Sequence, residues 1–402
     1  VSGPAVIGMG VSRDGGPRPA TNRVAKFHTP EIVVGPGSFP EAVAAAAGLG
    51  VRRPLVVSDR RLQATPWYGQ LLDDLRAEGL EPASYVDVTP NPRAGEVTDG
   101  FAAYRAHGAD GLLALGGGSV IDTAKGVAVL ASNGGLILEY EGIDRVRRPL
   151  PPLVAIPTTA GSGADVSQFC IINDPDRRTK ITIIGRTLVP NVTVIDPTLL
   201  TTAPAEVTAQ AGMDTLTHCV EAYVSLAHGR LTDSLALESL TGVWNNLERL
   251  VDDPADRAAG EEMALASLRA GMAFTNAILG AAHAMSHPVG GHCDAPHGTI
   301  NSVLLPHVIR YNATVCADDF VSLAEAVGIE SSGDPQSVAD RLADAVARLA
   351  NRVGMPETLT PLGVRSDDLD LLTRHALADS CMITNPRRPE ESGILDLYRQ
   401  AL

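Results

Sequence analysis

The first part of the chain alternates short, uninterrupted apolar runs with longer stretches in which apolar residues recur every three or four positions. Pro54-Leu55-Val56-Val57 and Gly111-Leu112-Leu113-Ala114-Leu115 carry no polar residue. Runs of this kind read as strands buried on both faces, as in a parallel sheet. Residues 27–34, 84–88, 153–156 and 192–195 are similarly strand-like, and helical periodicity covers 39–49, 66–78, 97–106 and 120–130. Gly35-Pro36-Gly37 reads as a turn and Pro90-Asn91-Pro92 as a break. The alternation of strand and helix predicts a parallel α/β sheet.

Beyond residue 158 the pattern changes. Cys170-Ile171-Ile172 and residues 180–184 flank the turn signal Asn173-Asp174-Pro175-Asp176, which predicts a β-hairpin. After Pro197 nearly everything reads as helix, with loops expected around 252–254, 290–295 and 331–335. The expected organisation is a flexible, Gly-, Pro- and Arg-rich arm over 1–22, an α/β domain over 23–196 and an all-helical domain over 197–402.

Composition narrows the function classes. A chain of 402 residues with 45% hydrophobic and 20% charged residues has ample core for two domains. A net charge of −15 disfavours nucleic acid and anionic membrane as partners, and aromatics at 4% leave few platforms for base stacking. Five scattered cysteines without a C-x-x-C pair imply reduced thiols in a cytoplasmic protein. No basic, apolar leader opens the sequence and no apolar run is long enough for a membrane span, so neither secretion nor a membrane anchor is expected.

Two polar patterns interrupt the helical part. In G-M-D-T-L-T-H, Asp214 and His218 stand four apart, and His283, His287, His292 and His297 follow within a stretch nearly free of other charge. Residues four apart share a helix face, so Asp214 with His218, and His283 with His287, can each reach one point. Pro288 is expected to end or bend that second turn. One carboxylate and two or three imidazoles form a ligand set for a divalent metal such as Fe(II) or Zn(II). In the α/β part, Gly116-Gly117-Gly118-Ser119 links a strand to a helix, where free N–H groups meet phosphate. Asp59 ends an earlier strand, as a ribose acceptor or as a helix cap, and Thr158-Thr159-Ala160-Gly161-Ser162-Gly163 follows another. Three loops after three strands favour a bound dinucleotide.

The ordered set of these segments resembles the iron-containing (group III, metal-dependent) alcohol dehydrogenases. The resemblance rests on Gly116-Gly117-Gly118-Ser119 with Asp122-Thr123-Ala124-Lys125, and on Ile156-Pro157-Thr158-Thr159-Ala160-Gly161-Ser162-Gly163. Asp196-Pro197, Gly212-Met213-Asp214, residues 218–223, residues 283–298, Leu304-Leu305-Pro306 and Asn385-Pro386-Arg387 extend it. It implies an α/β dinucleotide-binding domain followed by an all-α metal domain, the superfold shared with dehydroquinate synthase. It further implies metal ligands at Asp214, His218, His283 and His297, with His287 beside the metal and linked to proton transfer. Cofactor contacts fall on Gly117, Gly118, Ser119, Thr158, Thr159, Ser162 and Lys180, and Asp59 matches the acid linked to a preference for NAD(H). Arg60 and Arg61 follow Asp59 and leave NADP(H) open.

The activity so implied interconverts a small-molecule alcohol and its aldehyde or ketone, with one divalent metal, Fe(II) before Zn(II). One alternative is a biosynthetic reductase of an anionic aldehyde, a phosphonate or carboxylate, which His292 between two ligands would suit. A lyase like dehydroquinate synthase is the other; it needs basic residues near the metal, and residues 280–298 contain no Lys or Arg. The apolar strand around Ile32-Val33-Val34 is expected at a sheet edge, which invites a homodimer or larger homo-oligomer.

Overall fold

The computed structural model describes residues 26–402, so the arm expected over 1–22 lies outside the described residues. Strands β1 (Glu31–Val34), β2 (Pro54–Val57), β3 (Ala83–Tyr85), β4 (Gly111–Gly116), β6 (Leu153–Pro157) and β9 (Val192–Ile195) form one sheet in the order β1-β9-β6-β4-β2-β3. Every pairing in it is parallel. Helices α1 (Glu41–Gly48), α2 (Arg60–Gln63), α3 (Pro66–Ala77), α4 (Ala94–His107) and α5 (Gly118–Asn133) join or flank these strands. With both faces covered, β2, β4, β6 and β9 are buried along their whole length, which is why their sequences lack alternation. β1 is an edge strand, as its sequence predicts.

A smaller sheet has the order β5-β8-β7, built from β5 (Gly142–Ile143), β7 (Phe169–Asp174) and β8 (Thr179–Ile184). β7 and β8 are the expected hairpin, antiparallel from Phe169↔Ile184 to Asp174↔Thr179. The helices that follow are α6 (Ala205–Val224), α7 (Arg230–Asp252), α8 (Arg257–Ala277), α9 (Ala281–Cys293), α10 (His297–Ala326), α11 (Pro335–Arg352), α12 (Leu369–Ala378) and α13 (Glu391–Ala401). One core joins α6, α7, α8, α10 and α11 through Met213, Leu216, Leu247, Met263, Leu305 and Leu342. A second packs α9 and α10 against the carboxyl-terminal helices through Met285, Ile300, Leu372 and Tyr398.

Three local expectations are corrected. Pro288 does not end its helix: α9 runs through it to Cys293, and residues 290–293 are helix rather than loop. A helical proline forfeits one hydrogen bond, and here the helix is buried continuously from Ala281 to Gly290, so packing holds it together across the gap. β8 crosses the helix so closely at Gly290 and Gly291 that neither position has room for a side chain. A Cβ at Gly290 would come within 2.9 Å of Lys180 Cε, and one at Gly291 would run into the Thr179 backbone. The strand expected over 84–88 is Ala83–Tyr85, since it pairs only with Leu55, Val56 and Val57 at the sheet edge. Asp87, beyond it, instead meets Arg60.

Candidate active site

Asp214 and His218 lie one turn apart on α6, and His283 and His287 one turn apart on α9. His297 opens α10 after the left-handed residue Asp294 turns the chain. These elements bring four of the predicted groups together. The Nε2 atoms of His283, His297 and His218 lie 3.6, 3.7 and 3.9 Å from one oxygen, Asp214 Oδ1. The His218 ring stacks on His283 at 4.7 Å and, on its other face, on Phe274 at 4.4 Å. Phe274 is therefore a wall that fixes the His218 ring.

Two of the three imidazoles are held from behind, while the buried Nδ1 of His218 has no hydrogen-bond partner among the described residues. His283 Nδ1 meets Glu221 Oε2 at 2.7 Å, and His297 Nδ1 meets Ser286 Oγ at 3.2 Å. Both rings thus present Nε2 to Asp214. Glu221 is itself clamped by the backbone N–H groups of Gly280 and Ala282, at 3.1 and 2.6 Å. Asn301, one turn after His297, donates from Nδ2 to Asp214 Oδ1 at 2.8 Å. Glu221 continues the helical face of Asp214 and His218, so periodicity contains the signal for it. Asn301 stands to His297 in the same way.

Electrostatics favour a cation here. Burial resists ionisation of Asp214, yet His218, His297 and His283 outweigh it and hold its carboxyl well below the carboxylate range. Burial pushes His218 down to about 4 against the pull of Asp214. It also holds His297 well below its ordinary value, with Lys180 adding to the effect. Both rings are neutral near pH 7 and keep a lone pair. Burial pulls the same way on His283, but the Asp214 and Glu221 carboxylates win and raise it to about 9. Two buried carboxylates countered at close range mainly by imidazoles form a donor set suited to a divalent metal. The residues present fit the metal.

His287 lies beside this set, its ring 5.3 Å from that of His297 and nearly parallel to it. Its Nδ1 meets Asp379 Oδ2 at 2.8 Å. Burial works against ionisation of Asp379, but His287 and the hydrogen bonds to the carboxylate hold it below its usual value. Asp379 stands 92 positions from His287 in another helical layer, and no sequence pattern points to it. His292 Nε2 turns to Asp368 Oδ1 at 3.2 Å, while its buried Nδ1 has no hydrogen-bond partner among the described residues.

The loops expected to hold a dinucleotide meet at the carboxyl ends of β2, β4 and β6. The chain passes from β3 on one side of β2 to β4 on the other. Ligands of open α/β sheets bind at such a switch point. Gly117 is the N-cap of α5, and Gly118 and Ser119 form its first turn, where N–H groups are free to meet an anion. A Cβ on Gly118 would come within 2.7 Å of Ser162, and one on Gly117 within 3.2 Å of Thr159 Oγ1. The two loops thus form one cradle that side chains would fill, which fits a pyrophosphate. Thr158 N donates to Gly116 O at 3.1 Å and ties them together. The second loop also reaches the helical half: Thr215 Oγ1 of α6 donates to Ala160 O at 3.1 Å.

Asp59 is the N-cap of α2, with Oδ1 accepting from Arg61 N and Leu62 N at 2.9 Å. The capping and ribose readings are compatible, since only one carboxylate oxygen makes these bonds. Arg60 pairs with Asp87. Lys180 is not among the strand-end loops. It lies on β8 against α9, where burial lowers it to about 8 despite Asp214, Asp294 and Asp122.

Comparison with known proteins agrees with this two-domain fold. The iron-containing alcohol dehydrogenase model matches residues 29–197, and the carboxyl-terminal model of the Fe-containing alcohol dehydrogenase family matches residues 208–402. The chain is 39% identical to the 1,3-propanediol dehydrogenase of Klebsiella pneumoniae over 356 residues, 88% of this chain and 92% of the relative. It is 34% identical to the NAD-dependent methanol dehydrogenase of Bacillus methanolicus, over 94% of this chain and 99% of that one. A crystal structure of 1,3-propanediol oxidoreductase superposes with a TM-score of 0.91 at 37% identity, covering 94% of this chain and 100% of that one. The chain belongs to the iron-containing alcohol dehydrogenase family and is a metal-dependent, NAD(H)-linked oxidoreductase that interconverts an alcohol and its aldehyde or ketone.

Proposed function

We propose that the substrate is a short primary alcohol or its aldehyde, handled where α6, α9 and the strand-end loops meet, with Fe(II) as the resident metal. Asp214, His218, His283 and His297 hold that metal in this reading, and Gly117, Gly118, Ser119, Thr158, Thr159 and Ser162 hold NAD(H). The observation that carries it is the convergence of three Nε2 atoms within 3.9 Å of Asp214 Oδ1. When bound, the metal supplies a Lewis acid for the substrate oxygen and the dinucleotide supplies the hydride acceptor.

The chain's own residues do the rest. Glu221 and Ser286 aim the His283 and His297 rings, and Phe274 holds His218 flat. The glycine cradle fixes the dinucleotide against the α5 amino terminus, which raises the effective concentration of the reacting groups. Oxidation releases one hydride and one proton; His287 takes the proton at Nε2 and returns it in the reverse direction. Lys180 contributes a buried positive charge next to the metal set and the cofactor.

A short uncharged substrate is supported by the names of the relatives, a propanediol and a methanol dehydrogenase. The Asp368 carboxylate that already faces His292 Nε2 would repel an anionic aldehyde from that imidazole. The α/β half spans 23–196 and the helical half 197–402, in a cytoplasmic enzyme. Pairing through the β1 edge gives a homodimer or larger assembly.

The test is a panel of alcohols and aldehydes, neutral and anionic, assayed with NAD(H) and NADP(H) on protein reconstituted with Fe(II) or Zn(II). Highest kcat/KM is expected for short neutral substrates with Fe(II) and NAD(H). Turnover confined to phosphonate or carboxylate aldehydes would reject this substrate class. Light scattering at micromolar concentration checks the assembly, which a monomer contradicts.

A further inference from the structure

Asp379 joins α12 to a short turn of 3-10 helix over Ser380–Thr384. Its two carboxylate oxygens have separate duties. Oδ1 accepts from Cys381 N at 2.8 Å and caps that turn. Oδ2 faces His287 Nδ1 at 2.8 Å, with the two side chains 8% and 5% exposed. The turn cannot drift from α9. Thr384 Oγ1 donates to Leu279 O at 2.6 Å, and Asn385 Oδ1 accepts from Ala281 N at 3.0 Å. Asn385 is in turn exchanging hydrogen bonds with Asn312 of α10 at 3.0 and 2.8 Å. The carboxylate is therefore fixed to the same end of α9 that carries His283 and His287.

We propose that Asp379 is the positioning residue of the proton step: it holds His287 as the Nδ1–H tautomer, so that Nε2 carries the lone pair beside the metal set. The inference rests on the reading of His287 given above. The argument is geometric. A carboxylate only accepts, so the nitrogen facing it must bear the hydrogen, and the lone pair of the neutral ring then lies on the other nitrogen. α9 uses this device on two successive turns: Glu221 from α6 backs His283, and Asp379 from beyond α12 backs His287. One pair serves ligation and the other proton transfer.

Asp379→Asn separates orientation from tautomer. Its amide oxygen keeps the cap on Cys381 N and leaves the NH2 group facing His287 Nδ1. That nitrogen must then accept, the hydrogen moves to Nε2, and the lone pair is lost from the reacting side. Metal-reconstituted Asp379→Asn is expected to lose about tenfold to a hundredfold in kcat, with KM, metal content and NADH binding unchanged. In an His287→Ala background the same substitution is expected to change kcat less than about twofold, because a residue acting through His287 has nothing left to act on. In 15N-histidine-labelled, zinc-loaded protein, the His287 signals should exchange protonated and unprotonated character between Nδ1 and Nε2. Losses that multiply in the double variant, or metal lost from Asp379→Asn, would overturn the inference. Full kcat in His287→Ala alone would instead overturn the reading of His287. Should Asp379→Asn fold poorly, Asp379→Ala in the same cycle tests whether the carboxylate acts through His287: its kcat loss should again shrink below about twofold in the His287→Ala background.

Discussion

The dinucleotide cradle and the metal pocket are built by opposite means. The cradle works through absence. At Gly117 and Gly118 the chain carries no side chain, and in the proposed reading the backbone of a helix terminus and of a strand-end loop does the binding. The pocket works through side chains held rigid in depth. His283 and His218 are 1% and 3% exposed, and His283, His287 and His297 each engage a partner through Nδ1. A cradle tolerates small displacements because a pyrophosphate has many oxygens. A metal tolerates few, because each bond has one length and direction. Damage to the two regions should therefore differ in size and in what it leaves intact.

The largest effect is expected at the ligands. His283→Ala or His297→Ala removes the metal and with it several kcal/mol of charge stabilisation, about a thousandfold or more in kcat. NADH affinity by fluorescence titration should stay close to that of the parent, since the cradle lies on the sheet. Stoichiometric metal by elemental analysis in both variants would break the distinction. Next comes Glu221→Gln, which touches no metal but loses the charge behind His283. Metal affinity by chelator competition should fall about tenfold to a hundredfold, with NADH binding unaltered. An unchanged affinity would mean that Glu221 serves only to cap the start of α9 through Gly280 and Ala282.

On the cradle side the effects shrink. If Asp59 faces the adenosine ribose as proposed, its carboxylate would repel a 2′-phosphate of NADP by about 1–4 kcal/mol between water-like and surface dielectrics. Asp59→Gly should raise the NADP/NAD ratio of kcat/KM by about tenfold, while the loss of the α2 cap costs some stability. An NADP preference in the parent enzyme would show that Arg61, with Arg60 drawn to Asp87, governs the choice. The smallest effect is expected for Gly118→Ala. Its methyl group would lie 2.7 Å from Ser162 Cβ, which side-chain rotation does not move, so the loop must shift slightly and NADH affinity should fall by roughly fivefold, about 1 kcal/mol. Metal content unchanged in this variant, beside intact NADH binding in the histidine variants, completes the comparison from both sides.

Much of the cradle is legible in sequence because it is local. Strand, glycines and helix follow one another, and the parallel sheet announces itself in apolar runs such as Leu55-Val56-Val57. Half of each metal pattern is legible for the same reason, since Asp214 with His218 and His283 with His287 sit at helical spacing. Assignment of roles among the four clustered histidines needed the family resemblance, because spacing alone gives His283 and His287 the same claim.

The amino-acid sequence by itself determined the order of strands and helices, the place of the hairpin, the edge strand and the segments that meet in the site. Only the tertiary structure decided what surrounds those segments. It ran α9 through Pro288 and two glycines, because burial of the helix outweighs the local preference of these residues against it. It turned His292 toward Asp368 and His287 toward Asp379. Such pairings join residues dozens of positions apart, and helical or strand periodicity carries no information at that range. A hydrogen bond between distant side chains is fixed by how the layers pack, and that packing exists only in the folded chain.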